Sequence, residues 1–272
     1  MISGNLSKMT SQLTSPVEYS LPVGSERIGM NQFLGKVVTL RYSGMIHCVA
    51  CGRKTNKSFS QGYCFPCMQS LAQCDSCIIK PELCHYVQGT CREPEWGMTH
   101  CMRPHYVYLA NSSGMKVGIT RETQLPTRWI DQGAAQALPI FKVATRLQSG
   151  VLEVILKQHI ADKTDWRALL KGAPEPANLA QKRDQLFELC ASGIHEAQTR
   201  FGMDAIVPLE SGDVVTIDYP VLEYPAKITS LNLEKTPEIT GTLLGIKGQY
   251  LIFDIGVINI RKYTGYHVEL LA

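Results

Sequence analysis

The 272-residue sequence has no apolar run long enough to span a bilayer, which excludes a membrane-spanning helix. Its opening stretch from Met1 to Asn31 is rich in Ser, Thr and Gly and carries no continuous apolar core of a secretory signal. Export is therefore not expected, and the compartment this predicts is the cytoplasm. There is no internal repeat and no Gly-rich phosphate-cradling motif ahead of a helix. Charge is sparse as well: charged residues make up 19% and the net charge is only +3. With 44% hydrophobic residues the composition is that of a globular chain rather than a disordered one. Outside one window cysteine is almost missing, since Cys190 is the single cysteine not between Cys48 and Cys101.

What charge there is lies unevenly. Between Asn31 and Ile130 there are 11 Lys or Arg against 5 Asp or Glu, a local balance of +6 that leaves −3 for the rest. A basic segment of this kind suits a polyanionic partner such as DNA or RNA. The plainer reading is a solvated face.

The nine clustered cysteines carry the most specific signal. Cys48-Val-Ala-Cys51-Gly and Cys64-Phe-Pro-Cys67 are two Cys-x-x-Cys knuckles with twelve residues between them. Each knuckle sets two thiolates on one side of a tight turn, and two such pairs complete a tetrahedron around Zn²⁺. Gly52 offers the backbone freedom such a turn needs. Dense disulfides belong to exported domains, so structural zinc is favoured over them, and over a redox dithiol or an iron–sulfur cluster. A second zinc site is expected from Cys74-Asp-Ser-Cys77 with two of Cys84, Cys91 and Cys101; Cys91 with Cys101 and Cys84 with Cys91 both remain open. The nearby His85, His100 and His105 read as turn or surface residues. Zinc supplies folding free energy directly, so this stretch needs little apolar core.

After His105 the pattern changes. Tyr106–Ala110 and Met115–Thr120 read as strands joined by a turn at Asn111-Ser-Ser-Gly114. Leu125–Gly133 reads as a short helix that tolerates Pro126 in its first turn. Pro139–Leu147 reads as a third strand, and Val151–Ile160 as a largely apolar helix. Glu153 lies in that helix, where a carboxylate needs a partner or a metal.

The order strand, strand, helix, strand, helix resembles the GIY-YIG nuclease superfamily, and so do its residues. Tyr106-Val107-Tyr108 falls at the first motif, Lys116-Val117-Gly118 at the second, Arg128 on the following helix, and Glu153 at the metal-holding glutamate. The resemblance covers Tyr106 to Arg167. It implies that Glu153 holds Mg²⁺ or Mn²⁺ at the scissile phosphate, that Tyr108 helps activate water, and that Arg128 stabilises phosphate charge. The sequence departs from the pattern at Lys116, which replaces a tyrosine and would contact phosphate or act as a base, and at Gln132, which cannot move protons. Asp165 lies at a suitable spacing for the late asparagine, and Asn178 lies farther on. The longer arrangement resembles an uncharacterised bacterial family of domain-of-unknown-function proteins, which brings no activity with it.

Toward the end, Lys163–Arg167 reads as a polar turn about Trp166. The spacing Leu179, Leu186, Phe187, Cys190, Ile194, Ala197 and Phe201 predicts a helix that buries Cys190. Strands are expected at Val214–Tyr219, Ala226–Ser230, Ile239–Ile246 and Tyr250–Ile260. With Leu34–Tyr42 and several turn glycines they would close a small barrel. Lys247, Gln249, Asn259, Arg261, Lys262 and Tyr263 form a candidate surface for phosphates or bases.

The sequence thus predicts an α+β protein. Its parts are an N-terminal segment with one strand (1–47), a zinc segment (48–104), a GIY-YIG-like α/β core (105–172), a helix (173–202) and a β-rich module (203–272). The function this supports is nucleic-acid binding with metal-dependent cleavage. A non-catalytic adaptor for nucleic acid or protein is the first alternative, and a thiol or metal redox sensor the second.

Overall fold

A computed structural model describes residues 1–160 and 165–272. The chain starts with β1 (Ile2–Asn5) and an antiparallel three-stranded sheet, β2 (Thr10–Gln12), β3 (Glu18–Val23) and β4 (Glu26–Gly29). Along β3 the side chains of Tyr19, Leu21 and Val23 are buried and their neighbours are not, the two-residue period of a strand with one wet face. The long β5 (Val37–His47) follows and pairs with the two-residue β6 (Lys54–Thr55). Leu34–Tyr42 was expected to supply a strand to the C-terminal module, and β5 does so.

The Cys-rich segment contains little regular structure: α1 (Phe65–Ser70), three 3₁₀ turns between Ala72 and Leu83, and α2 (Pro94–His100). Next come β7 (His105–Asn111), β8 (Met115–Arg121), α3 (Thr127–Asp131), β9 (Gln136–Val143) and α4 (Arg146–Leu156), in the order read from the sequence. A capping box starts α4: the Thr145 side chain takes a backbone N–H of the first turn, and Gln148 Oε1 accepts the Thr145 N–H at 2.8 Å. The remaining elements are α5 (Trp166–Leu169), α6 (Leu179–Leu189), α7 (Ala191–Phe201), β10 (Ile206–Pro208), β11 (Val215–Thr216), β12 (Glu238–Lys247), β13 (Tyr250–Phe253), β14 (Gly256–Asn259) and β15 (Tyr266–Leu271).

Two larger antiparallel sheets organise these pieces. One runs β10-β9-β7-β8, with β11 also on β9; the other runs β1-β15-β5-β12-β13-β14, with β6 on β5. The strand β7 is buried on both faces. Val107 and Leu109 join a core with Leu152 and Leu156 of α4 and with Leu186 and Ile194 of α6 and α7. Tyr108 and Ala110, pointing the other way, join Trp129, Ile130 and the apolar side chains of the large sheet, among them Leu40 and Val268. The small sheet is therefore a shared wall between helices and the large sheet.

Several expectations need correction. The C-terminal strands form no closed barrel: among the described residues β1 pairs with β15 and β14 with β13, and the large sheet stays open at those ends. The expected single helix is two, broken at Cys190, whose side chain is buried as predicted. Val214–Tyr219 contributes only the two residues of β11, Ala226–Ser230 contains no strand, and Tyr250–Ile260 folds into the hairpin β13–β14. In the expected turn at Lys163–Arg167, Lys163 and Thr164 lie outside the described residues, while Trp166 stacks on Tyr250 with ring centroids 6.0 Å apart.

Candidate metal cluster and candidate active centre

The first knuckle is the turn of the β5–β6 hairpin. Cys48 N–H bonds the Arg53 carbonyl at 2.9 Å, and Gly52 N–H reaches back to the Cys48 carbonyl at 2.9 Å. Gly52 has φ +70°, the left-handed conformation anticipated for it. The second knuckle straddles the start of α1: Cys64 is the residue before the helix, Pro66 occupies its first turn, and Cys67 follows inside. The sulfurs of Cys48, Cys51, Cys64 and Cys67 all lie within 4.8 Å of one another, and Cys51 and Cys64 are 3.7 Å apart. Four thiols so gathered could hold a zinc ion.

The electrostatics suit that role. Burial pushes the Cys48 thiol up, but backbone N–H groups of Cys64, Cys51 and Ala50 directed at its sulfur outweigh it and bring the pKa down to about 6. Cys67 is pushed up to about 12, chiefly by its contact with Cys64 and then by burial. One thiolate is thus preformed at neutral pH, and a bound cation would displace the protons that neighbours retain.

The other five cysteines of the Cys-rich segment do not behave as one group. Cys74 and Cys77, expected to act together, have different neighbours. Cys74 faces Ser60 and the Cys48 side, and together with Cys48 and Cys67 it raises the Tyr63 pKa, behind burial as the main cause. Cys77 instead lines a small cavity with Cys84, Cys91 and Cys101. Asp75 and His85 border the same cavity, and their side chains and Cys77 lie within 4.8 Å of one another. Arg92 holds the Asp75 carboxylate at 2.8 Å, and His85 Nε2 stands 3.4 Å from it. His100 stacks on Trp96. His105 is no surface residue: it is fully buried in β7, with Nδ1 2.7 Å from the Arg103 carbonyl.

A second constellation lies in the small sheet. Tyr108 is opposite Gly118 across the β7–β8 ladder, and a Cβ at Gly118 would stand 2.7 Å from the Tyr108 ring and hydroxyl. Gly118 therefore makes room for Tyr108. The Tyr108 hydroxyl donates to Gln132 Oε1 at 2.8 Å, and the ring meets Trp129 edge-on. Arg128 and Glu153 lie within electrostatic reach of that hydroxyl. Burial raises the phenol pKa, Arg128 pulls it down, and Glu153 raises it further. Tyr108 consequently stays protonated at neutral pH and serves as a hydrogen-bond donor. Lys116, paired with Ala110, shares the Tyr108 face and is 3% exposed, so a phosphate could meet it only inside the fold. Neither late candidate for the missing asparagine points to catalysis: Asp165 accepts backbone N–H bonds from Arg167 and Ala168, and Asn178 accepts one from Gln181, each capping a helix.

The candidate phosphate surface divides. Lys247, Gln249 and Tyr263 are buried. Lys247 Nζ donates to the Gly172 carbonyl at 2.9 Å between the Tyr219 and Tyr224 rings, and Gln249 bonds both the N–H and the carbonyl of Met9. Asn259, Arg261 and Lys262 line an open groove with Glu234 and with Lys57 and Gln61 of the loop between the first two knuckles. Arg261 Nε donates to Gln61 Oε1 at 2.6 Å, and burial followed by the Arg128 charge lowers its pKa. The groove thus joins the loop between the first two knuckles to the residues that follow β14. That continuity was not readable from the sequence, because Gln61 and Arg261 are two hundred positions apart.

Among the described residues no helix is long and apolar enough to cross a membrane. No curated protein and no solved structure matches the chain. A family model described as "Protein of unknown function (DUF2797)" matches residues 35–268. That span takes in the four-cysteine cluster, the Tyr108 centre and the basic groove, and the chain belongs to the DUF2797 family.

Proposed function

We propose that this protein binds nucleic acid along the Lys57–Arg261–Lys262 groove and cleaves it at the Tyr108, Arg128 and Glu153 centre. The reading is supported by the convergence of those three side chains from β7, α3 and α4, and by the cations Lys57, Arg261 and Lys262 that line the open groove. The GIY-YIG resemblance gives the same three residues their roles. A hard divalent ion, Mg²⁺ or Mn²⁺, held by the Glu153 carboxylate would supply Lewis acidity at a phosphoryl oxygen. Arg128 binds the phosphate and balances charge that grows in the transition state. Tyr108, whose hydroxyl proton goes to Gln132 Oε1, orients an attacking water by accepting one of its O–H groups. Lys116 adds positive charge beneath them. The zinc cluster fixes the loop that carries Lys57 and Gln61, so its contribution to binding is positional.

The test is cleavage of single- and double-stranded DNA and RNA with Mg²⁺ or Mn²⁺, run beside Glu153→Ala. Cleavage abolished in a folded Glu153→Ala protein that still binds supports the reading. Unchanged cleavage by that variant ends it. Binding should weaken steeply with added salt, because phosphates neutralised by Lys and Arg release counterions.

One observation favours a non-catalytic adaptor instead. Ile79, Leu83, Val87 and Met98 are all exposed on the Cys-rich segment, where a protein partner could cover them. Absence of binding to any nucleic acid at low salt would select that reading.

A further inference from the structure

The cavity lined by Cys77, Cys84, Cys91 and Cys101 joins four thiols that are far apart in regular structure. Cys77 sits in a 3₁₀ turn, Cys84 ends the next one, Cys91 precedes α2, and Cys101 ends α2. The cavity is small, about 10 Å³, room for an atom-sized guest rather than a molecule. We propose that it is a second structural zinc site with those four cysteines as its complete ligand set.

Three observations choose this set over its competitors. The first is placement: Cys74 has Ser60 as a neighbour and is not among the side chains that line the cavity, although its spacing from Cys77 is that of a knuckle. The second is prior engagement. Asp75, Cys77 and His85 stand within 4.8 Å of one another and form the competing set. The Asp75 carboxylate, however, is held by Arg92 at 2.8 Å and by the Ser76 hydroxyl at 3.1 Å, and His85 has a partner at each ring nitrogen, Thr90 Oγ1 at 2.8 Å from Nδ1 and Asp75 at 3.4 Å from Nε2. On this assignment both form a supporting shell beside Cys77.

The third is a buried charge. Arg146, at the start of α4, donates through Nη2 to the Ile78 carbonyl at 2.7 Å, while its Nε is buried with no hydrogen-bond partner among the described residues. A guanidinium cannot shed its charge, so a site this dry needs a nearby anion. Cys101 and Cys77 of the cavity lie within the electrostatic reach of Arg146, as does Glu153 with a smaller effect. Zn²⁺ with four thiolates carries a net charge of −2 and supplies that anion. Each coordinated thiol releases its proton to solvent as the metal enters, so no other reactant is required.

The same contacts say what the site does. Arg146 N–H bonds the Cys101 carbonyl at 2.8 Å, and Gly150 lies so close to Pro81 and Glu82 that a Cβ there would be 2.5 Å from the Glu82 nitrogen. The second zinc therefore clamps the Cys-rich segment onto α4, the helix that carries Glu153.

The experiment is zinc analysis of full-length protein and variants. Wild type should hold about two zinc ions, and Cys84→Ser and Cys91→Ser about one each, whereas Cys74→Ser and Asp75→Asn should keep two. Loss of one zinc from Cys74→Ser, or retention of two by Cys84→Ser, would overturn the assignment. X-ray absorption at the zinc edge of the wild-type protein covers variants that do not fold. It should give four sulfurs per zinc at about 2.3 Å, and a nitrogen or oxygen shell at about 2.0 Å would refute the ligand set. None of these readouts depends on nucleic-acid binding or cleavage, so they stand or fall apart from the proposed function.

Discussion

Gly150→Ala sets two physical effects against each other, and the structure decides which wins. In an exposed helix interior the change would stabilise by about 1 kcal/mol, because glycine loses more backbone freedom on folding. In α4 the new Cβ would stand 2.5 Å from Glu82 N, 2.6 Å from Pro81 Cβ and 2.7 Å from Pro81 C. Backbone and ring atoms cannot rotate aside, so α4 and the Cys-rich segment must separate by about 1 Å to restore ordinary contact. That movement stretches the Arg146 bonds to the Ile78 and Cys101 carbonyls, now 2.7 and 2.8 Å. Overpacking costs about 1–3 kcal/mol, and each weakened hydrogen bond about 1 kcal/mol at most. After the propensity gain, a net loss of about 2 kcal/mol remains, a fall in Tm of roughly 4–8 °C for a chain of this size. Thermal denaturation measures the fall, and limited proteolysis should show faster cutting between Cys74 and Cys101. A higher Tm with unchanged proteolysis would show that α4 does not bear on Pro81 and Glu82.

Three further outcomes follow from the same structure. Cys48→Ser and Cys64→Ser should each reduce bound zinc by about one ion and lower folded yield, because each removes a ligand of the first cluster; full zinc content in the double variant would dismiss that cluster as a metal site. His105, whose pKa burial brings down from 6.5 to about 4, stays neutral in the fold. Its contribution is complete above pH 6.5 and is lost as pH falls through 4, up to about 3 kcal/mol. The difference in urea midpoint between wild type and His105→Gln, taken at pH 7 and pH 4.5, isolates it from any zinc lost in acid, and a difference independent of pH would refute it. Arg261→Ala should weaken nucleic-acid binding and flatten its salt dependence by about one counterion while leaving single-turnover cleavage near wild type. An unchanged salt slope would place the groove outside the binding surface.

The parts legible in the sequence are those fixed by local chemistry. The β7–β8 hairpin shows in the alternation of Val107 and Leu109 against Tyr106 and Tyr108 and in the turn at Asn111–Gly114. The first metal cluster shows because both knuckles carry their own turn geometry, Gly52 in one and Pro66 in the other. Local spacing does not show that Cys74 and Cys77 sit in separate 3₁₀ turns, with the extended Asp75 (φ −67°, ψ 154°) between them. Long-range pairing is invisible at that level. Nothing near Val37–His47 indicates that it lies between β12 and β15, and nothing near β1 indicates that it ends an open sheet instead of closing a barrel. Polarity also misdirects at Lys247 and Gln249. Both look like surface residues, yet one is bound to Gly172 between two tyrosine rings and the other replaces a strand partner for Met9.

The path of the chain explains why a Cys-rich segment interrupts it at this point. The backbone leaves the large sheet after the β5–β6 hairpin that carries the first knuckle, passes through the rest of the Cys-rich segment to Cys101, and enters the small sheet at His105. The segment must therefore span two layers that meet through Tyr108 and Ala110 on one side and Leu40 and Val268 on the other. It does so with almost no apolar interior of its own, since Ile79, Leu83 and Val87 face solvent. Hydrophobic burial is too small there to hold such a bridge rigid, and thiolate coordination is the available source of rigidity. The first cluster fixes the end that leaves the large sheet, beside Gln61 and Arg261. The Cys77–Cys101 quartet fixes the end that bears on α4, beside Arg146 and Gly150. Cations of the groove and the carboxylate of Glu153 belong to different layers, so their spacing depends on both attachments. A loose segment would let the two layers shift against each other, and a centre assembled from β7, α3 and α4 tolerates little displacement.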